Sequence, residues 1–278
     1  MHWIISQLPG IALAAVLVSL VFRDVTRSRL ERFAARQALD ITVANGPVVI
    51  GYLATTRRWR AAGFLAGLVI EFGATFTQHG RPSTGGVGAL VGWFVGALVA
   101  EWRMESRQSA GVRRAASLSA RRLSDYVPAW FVTVNVAVWT ATIALGVAET
   151  VILRPTQWPA VVELAFAAGV TPATWLVARR ILARPQALVA QGVLAADDAL
   201  RSRSLHVLGG STLAINGFLA ALIMSASQTL GASWLPDTWS FGIDVLGAFI
   251  LPLLGWLAAT SPFAARRRAL AYPSGIAA

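Results

Sequence analysis

Gly85–Ala100 reads GGVGALVGWFVGALVA, a run of sixteen residues without a charged side chain. Gly88, Gly92 and Gly96 recur at every fourth position within this run. Residues four apart lie on the same face of a helix, and small residues on that face let two helix backbones approach closely. The stretch therefore predicts a membrane helix whose glycine face packs against another helix.

The preceding apolar run repeats this spacing at Gly63 and Gly67. Only a short segment separates the two runs, so they are expected to be neighbours in space. We therefore expect the two glycine faces to pack against each other, with self-association of the glycine face as the alternative.

The composition of the whole chain is that of a membrane protein. Of 278 residues, 56% are hydrophobic and 13% are charged, with a mean hydropathy of +0.60. Soluble domains carry about 25% charged residues, so this chain has roughly half the usual charge. The composition excludes a disordered chain and a disulfide-stapled secreted domain.

Two missing residue types exclude several kinds of site. The chain has no cysteine, which rules out disulfides, thiolate metal sites, iron–sulfur clusters and attached c-type haem. It also has no lysine, which rules out a retinal Schiff base and a Walker A loop. We find no HExxH or GxSxG motif and expect no cofactor, no metal and no catalytic residues.

Apolar runs of about 20 residues are long enough to cross a bilayer as helices. The sequence predicts an all-α integral membrane bundle with seven transmembrane helices in a single domain, followed by a basic cytoplasmic tail at 261–278. The predicted spans are Trp3–Phe22, Ala61–Gln78, Gly85–Ala100, Val127–Ala148, Ala160–Ala178, Val207–Leu230 and Trp239–Thr260.

The arginines predict the orientation of these spans. Of the 24 arginines, 22 lie in residues 23–60, 101–126, 179–206 and the tail. Basic residues concentrate on the cytoplasmic side, so we expect the N-terminus outside and the C-terminus inside. The same distribution speaks against nucleic-acid binding, because it follows the membrane topology.

An eight-span alternative makes Ile41–Thr56 an additional crossing. It would place Arg23–Arg36 and Arg57–Arg60 on opposite sides of the membrane, so we reject it.

The inner segments read as basic and amphipathic. Arg27–Asp40 predicts a helix running on from the first span or lying on the inner leaflet. Asn45-Gly46-Pro47 is expected to end it. Val48–Leu53 then either docks under the bundle or extends the second span. Further along, Asp197-Asp198 resembles the N-cap and first turn of a solvated helix that continues into the sixth span.

Four polar residues inside the predicted spans form the candidate intramembrane site. Glu71 lies eleven residues after Arg60, roughly 16 Å along a helix, which places it near the bilayer midplane. A carboxyl there must be paired, protonated or in contact with water, and we expect it to be protonated. Asn135, Asn216 and Asp244 are the other candidates, with hydrogen bonding between helices as the alternative role of the two amides.

Two stretches carry a resemblance. Asn45–Gly63 (NGPVVIGYLATTRRWRAAG) and Ala195–Gly210 (AADDALRSRSLHVLGG) resemble stretches of uncharacterised multi-pass membrane proteins of GC-rich actinobacteria. The resemblance implies a bacterial plasma-membrane location and a multi-pass topology. It implies no chemistry and carries no functional residues over.

Three functions fit these features. The first is a permease or a transport-associated subunit with a buried acidic site at Glu71. The second is a non-catalytic membrane scaffold or sensor whose basic inner segments bind lipid or a cytosolic partner. The third, an intramembrane enzyme, is disfavoured by the missing motifs. The expected partners are the lipid bilayer and either a cytosolic protein or further copies of the chain.

Overall fold

The computed structural model describes Ser19 and residues 24–79, 87–108, 114–115, 121–153, 158–184, 186–187, 191–229 and 237–260. The predicted first span, apart from Ser19, and the basic tail at 261–278 lie outside these residues. The seven-helix count and the orientation of the termini therefore stay predictions.

The described part of the chain is all-α, apart from two strands of two residues each. Two π-helical turns extend or interrupt helices, and a short 3₁₀ turn, Leu123–Asp125, precedes the fourth predicted span. In chain order the elements are α1 Arg27–Gln37, α2 Gly46–His79, α3 Val87–Gln108, β1 Arg114–Ala115, α4 Ala129–Ala148, the π turn Glu149–Leu153, α5 Trp158–Ala183, β2 Gln186–Ala187, α6 Gln191–Thr229, α7 Asp237–Val245, the π turn Leu246–Ile250 and α8 Leu251–Ala259.

Five helical stretches are long and apolar enough to cross a membrane, which supports the membrane class. They are Val87–Met104, Ala129–Val151, Val161–Ala183, Val193–Ser225 and Thr238–Ala259. Each overlaps one of the predicted spans from the third to the seventh.

The second predicted span is part of a much longer helix. Helix α2 has 34 residues, roughly 51 Å at 1.5 Å per residue, whereas a bilayer core is about 30 Å thick. Val48–Leu53 lies in its first two turns. Of the two alternatives for this segment, the structure therefore shows the extension of the second span.

The sixth predicted span also lies within a longer helix. Helix α6 begins at Gln191 and has 39 residues. Asp197-Asp198 therefore lies about two turns inside the helix, and the prediction that this pair caps its N-terminus is wrong. The error arose because the polar pair interrupts the apolar pattern, whereas the helix begins earlier.

The predicted amphipathic helix in the first inner segment is present as α1. It ends three residues before the predicted Asp40, where Ala38 adopts a positive φ of 44°. Phe33 is buried on one face, whereas Arg27 and Glu31 pair at 2.8 Å on the exposed face.

The chain divides into two compact units. Unit 1 comprises residues 1–35, 40–113 and 187–196, and unit 2 comprises residues 36–39, 114–186 and 197–278. Helices α2 and α3 lie in unit 1. Helices α4, α5, α7 and α8 and all but the first six residues of α6 lie in unit 2.

In unit 1, α2 and α3 pack through glycines. A Cβ atom on Gly92 would overlap the carbonyl oxygen of Gly63, and one on Gly67 would overlap that of Gly88. A Cβ on Gly96 would overlap the carbonyl oxygen of Trp59. Only glycine permits backbones this close, so the structure places the glycine face of the third span against the second.

In unit 2, four glycines join α6 to the last helical segment. A Cβ on Gly210 would overlap the carbonyl oxygen of Gly255, and one on Gly247 would overlap that of Gly217. The partners are seven residues apart on α6 and eight apart on the other segment. The π turn Leu246–Ile250 adds one residue to a helical turn, which returns Gly247 and Gly255 to one face.

The glycine contact in unit 1 predicts that two alanine substitutions change the stability of the fold differently. Gly92→Ala places a methyl group against the Gly63 backbone and should destabilise the fold by about 1–3 kcal/mol, as overpacking does. Gly73→Ala is the matched control on α2, because nothing lies within 4 Å of its Cβ position. It should be neutral or stabilise by up to about 1 kcal/mol, since alanine is the better helix former.

Unfolding in detergent, followed by circular dichroism, measures both changes. Equal stabilities for the two variants would contradict the tight contact between α2 and α3.

Candidate functional site

Glu71, a residue of α2, lies beside the N-terminus of α3. Its Oε2 accepts a hydrogen bond from the backbone N–H of Gly88 at 2.9 Å, and Gly88 is the second residue of that helix. The first-turn N–H groups of a helix have no acceptor within it. A side chain on Gly88 would approach the Glu71 Cβ to 2.8 Å. Glycine at this position thus allows the carboxyl to reach the helix end.

Glycine contacts set the level of Glu71 relative to α3. Gly96 lies against Trp59 and Arg60, whereas Gly88 lies against Glu71. Glu71 is therefore level with the first turn of α3, and its depth in a bilayer stays a prediction. The backbone N–H donates to either form of the carboxyl, so the protonation of Glu71 stays a prediction.

Asn216 belongs to a polar seam between α4, α5 and α6. The seam consists of Thr142, Thr171, Thr174, Thr212 and Asn216. The fully buried Asn216 donates from Nδ2 to Thr171 Oγ1 at 3.0 Å, and its backbone carbonyl accepts from Thr142 Oγ1 at 3.1 Å. About one turn away, the hydroxyls of Thr174 and Thr212 are 2.6 Å apart. Side-chain hydrogen bonds therefore join α6 to both neighbouring helices.

Asn135 is buried on the same face of α4 as Thr142, two turns away. Its Nδ2 donates to the carbonyl of Phe131 in its own helix at 3.0 Å. Within the described residues, Oδ1 of Asn135 and Oδ1 of Asn216 are buried and have no hydrogen-bond partner. Such oxygens can accept a hydrogen bond from water or contribute a neutral ligand to a cation.

Asp244 lies in α7, two residues before the π turn Leu246–Ile250, and is partly buried. The structure does not gather the four candidates into one site. Glu71 belongs to unit 1, whereas Asn135, Asn216 and Asp244 lie on three different helices of unit 2.

An ion pair that the sequence patterns did not indicate lies in the N-terminal part of α6. Arg201 is 1% exposed, and its Nε and Nη2 donate to Asp197 Oδ2 at 2.8 and 2.7 Å. Its Nη1 donates to the carbonyls of Ile181 and Arg184 at 2.8 and 3.0 Å. These carbonyls belong to the C-terminal end of α5, where helices lack internal donors. Arg201 thus ties α5 to α6.

The neighbouring carboxylate, Asp198, binds the segment before α4. Tyr126 donates from its hydroxyl to Asp198 Oδ1 at 3.0 Å, and Arg121 Nη2 lies 3.9 Å from the same oxygen. Burial, together with the charge of Asp198, raises the pKa of Tyr126 to about 12. The prediction that Asp197-Asp198 is a solvated turn is therefore wrong, because both carboxylates have specific partners. The i, i+4 spacing of Asp197 and Arg201 was the available signal.

His206 lies one turn further along α6 and is also buried. Its Nδ1 is 2.8 Å from the carbonyl of Ser202, and its ring stacks on Phe131 with centroids 6.5 Å apart. Across the described residues, no group of three or more His, Cys, Asp or Glu side chains is placed to hold a metal ion.

Unit 1 also contains a fully buried acid that the sequence patterns did not indicate. Glu101 is 0% exposed, and its Oε1 accepts a hydrogen bond from the hydroxyl of the buried Tyr52 at 3.0 Å. This pair joins the first turns of α2 to α3. Around it, guanidinium groups stack on tryptophans, Arg60 on Trp93 at 5.5 Å and Arg103 on Trp59 at 4.5 Å.

A cavity of about 420 Å³ lies between α4, α6 and the segment formed by α7 and α8. Its walls include Val138, Leu145, Ala220, Leu246 and Leu251, with Thr142 as the polar contribution. Ligand sites normally add several convergent polar groups to an apolar pocket. With one polar side chain in its walls, this cavity offers a ligand few hydrogen bonds and therefore little chemical specificity.

Comparison with known proteins found no matching family model, no matching curated protein and no matching solved structure. The resemblance to actinobacterial membrane proteins therefore stays a prediction, and the site is interpreted from its own geometry.

The Tyr126 contact predicts a pH dependence of stability. Because folding raises the pKa of this phenol from 10.0 to about 12, the protonated phenol favours the folded state. Its stabilising contribution is complete below pH 10 and is lost as the pH rises from 10 to 12. The chain has no lysine to titrate in this range.

Tyr126→Phe removes the titrating group, so its stability should change less between pH 10 and 12 than that of the parent chain. At neutral pH it should be less stable by about 1 kcal/mol, the scale of one hydrogen bond. Unfolding curves across this pH range provide the measurement, and parallel losses for both proteins would contradict the contact.

Proposed function

We propose that this chain is a non-catalytic scaffold in a bacterial plasma membrane, with its arginine-rich segments on the cytoplasmic side. The observation that supports this function best is the hydrogen bond from Gly88 N–H to Glu71. The residue expected to form a proton or substrate site instead caps the neighbouring helix. The resemblance to actinobacterial membrane proteins supports the location and adds no chemistry.

The other polar groups within the helices also support a structural role. Asn216, Thr142 and Thr174 bond to neighbouring helices, and Arg201 bonds to the end of α5. A permease needs polar groups that line a water-accessible cavity near the midplane. The cavity of about 420 Å³ in unit 2 has apolar walls, with Thr142 as its polar contribution.

The basic inner segments supply the surface on which a scaffold would act. Stacking of Arg103 on Trp59 and of Arg179 on Trp175 at 4.6 Å is typical of side chains at a membrane interface. Amphipathic α1 adds a second basic surface. Arginine clusters of this kind favour anionic lipid or an acidic cytosolic protein, and a second copy of the chain is the alternative partner.

A permease or transport-associated subunit is the second candidate function. It is favoured by the buried Oδ1 atoms of Asn135 and Asn216, which have no partner in the described part of the chain. A polar solute or ion that crossed unit 2 would find its acceptors there.

Substitution of Glu71 separates these functions. Glu71→Gln retains an acceptor for the Gly88 N–H and should change stability by less than about 1 kcal/mol. Glu71→Leu removes the cap and should destabilise by about 0.5–2 kcal/mol. Ile70→Leu is the control, since Ile70 is exposed on the same helix. Thermal or SDS-induced unfolding in detergent gives the comparison.

Reconstitution into vesicles loaded with a pH-sensitive dye completes the test. A scaffold should leave the decay of an imposed pH gradient as slow as in protein-free vesicles, for the parent chain and for Glu71→Gln alike. Faster decay that Glu71→Gln abolishes would contradict the scaffold and favour the permease.

A further inference from the structure

The guanidinium group of Arg57 has an edge with no hydrogen-bond partner. Its Nε and Nη2 are buried and have no acceptor among the described residues. On the other side, Nη1 makes a long contact of 3.5 Å to the backbone carbonyl of Asp24. The N–H groups of Nε and Nη2 point in parallel, which is the arrangement that binds a carboxylate or a phosphate with two hydrogen bonds.

Arg201 shows how the same edge is used elsewhere in this chain. Its Nε and Nη2 both donate to Asp197 Oδ2, at 2.8 and 2.7 Å, and its Nη1 binds two carbonyls. Buried donor atoms that have no acceptor are costly. Arg57 has the same donors as Arg201 and lacks the carboxylate.

The charges around Arg57 increase this cost. Burial, followed by the positive charges of Arg29 and Arg58, lowers the pKa of Arg57, and only Asp24 acts in the opposite direction. Arg60, one turn further along α2, has a buried Nε that also lacks a partner within the described residues. The surroundings of this edge are therefore strongly cationic and favour an anion.

The position of the cluster indicates which anion it meets. Arg57 lies four residues before the predicted second span, at the cytoplasmic end of its apolar sequence. Trp102, with 54% of its surface exposed, lies beside Arg103, which stacks on Trp59. Tryptophan and arginine at such a level mark the headgroup region of a bilayer. Phosphate groups are the anions present at that depth.

We infer that Arg57, supported by Arg29, Arg58 and Arg60, binds the phosphate of an anionic phospholipid in the inner leaflet. Arg57 keeps part of its surface exposed, so a rotation of the guanidinium group about its own stem brings the Nε–Nη2 edge to the lipid. Two parallel hydrogen bonds hold the phosphate, and the neighbouring charges select lipids with net negative headgroups.

This inference deepens the scaffold proposal and rests on it only for the cytoplasmic placement of the arginines. The vesicle pH-gradient measurement decides the scaffold proposal separately, so failure of one is distinguishable from failure of the other.

The test compares thermal unfolding of the purified full chain in neutral detergent with added phosphatidylglycerol, phosphatidylcholine or inorganic phosphate. Phosphatidylglycerol should raise the melting temperature most, since ligands of the folded state stabilise it. Arg57→Lys retains the charge and loses the paired donors. It should need about tenfold more phosphatidylglycerol for the same rise, as expected for a charge-assisted hydrogen bond.

Arg57→Gln tests the unpaired cation directly. Without lipid it should unfold at the same temperature as the parent chain or higher, because it removes a positive charge that Arg29 and Arg58 repel. With phosphatidylglycerol it should unfold at a lower temperature than the parent. Arg32→Lys is the matched control, since the exposed Arg32 already donates from Nε to the Ser28 carbonyl at 3.2 Å. It should respond to lipid like the parent chain.

Several results would overturn the inference. An unchanged lipid response in Arg57→Lys would show that the paired donors do not bind phosphate. An equal rise with phosphatidylcholine would remove the requirement for an anionic lipid, and an equal rise with inorganic phosphate would indicate a soluble ligand. Equal destabilisation of Arg57→Gln with and without lipid would assign Arg57 a purely structural role.

Discussion

A polar group buried among membrane helices must find its partner within the protein, because hydrocarbon offers none. The described helices follow this constraint in most places. Glu71 serves the free N–H groups at the start of α3, and Arg201 serves the free carbonyls at the end of α5. In both cases an ionisable side chain bonds to the free backbone groups of a helix terminus.

The two units meet the constraint in different ways. In unit 1, glycines bring α2 and α3 into backbone contact, and that contact sets the register that places Glu71 beside Gly88 and Tyr52 beside Glu101. In unit 2, hydroxyl and amide groups join α6 to α4 and α5. Arg57 is one of the departures from the pattern, because its Nε and Nη2 have no acceptor among the described residues, and we take that departure to point to a ligand outside the chain.

Sequence periodicity predicted the helices better than it predicted which residues contact one another. The helices of the second to seventh predicted spans are present in the structure, and the glycine spacing correctly paired the second with the third. Apart from Ser19, the first span lies outside the described residues, so the seven-helix count rests on the apolar runs and the orientation rests on the placement of the arginines.

The sequence did not predict the register between helices, that is, which residues of two neighbouring helices face each other. Counting residues from Arg60 gave a depth for Glu71 but not the glycine that it faces on α3. Glu101 directly follows the third predicted span, and no local pattern indicates its contact with Tyr52, which is 49 residues away in sequence. Arg201 and Asp197 had the spacing of a helical ion pair. Their burial depends on the end of α5, which no local pattern shows.

The central claim is that the polar seam of unit 2 joins helices and does not line a path for solutes. Because the chain has no cysteine, single cysteines can report whether water reaches the seam. The measurement is the reaction of Thr142→Cys and Thr212→Cys, both at buried positions of the seam, with a hydrophilic maleimide in lipid nanodiscs, with exposed Ser124→Cys as the reference. A sealed seam predicts that both positions react only after unfolding, whereas Ser124→Cys reacts at once. Rapid labelling of the folded chain at Thr212→Cys would contradict the scaffold and reveal a water-filled route along α6.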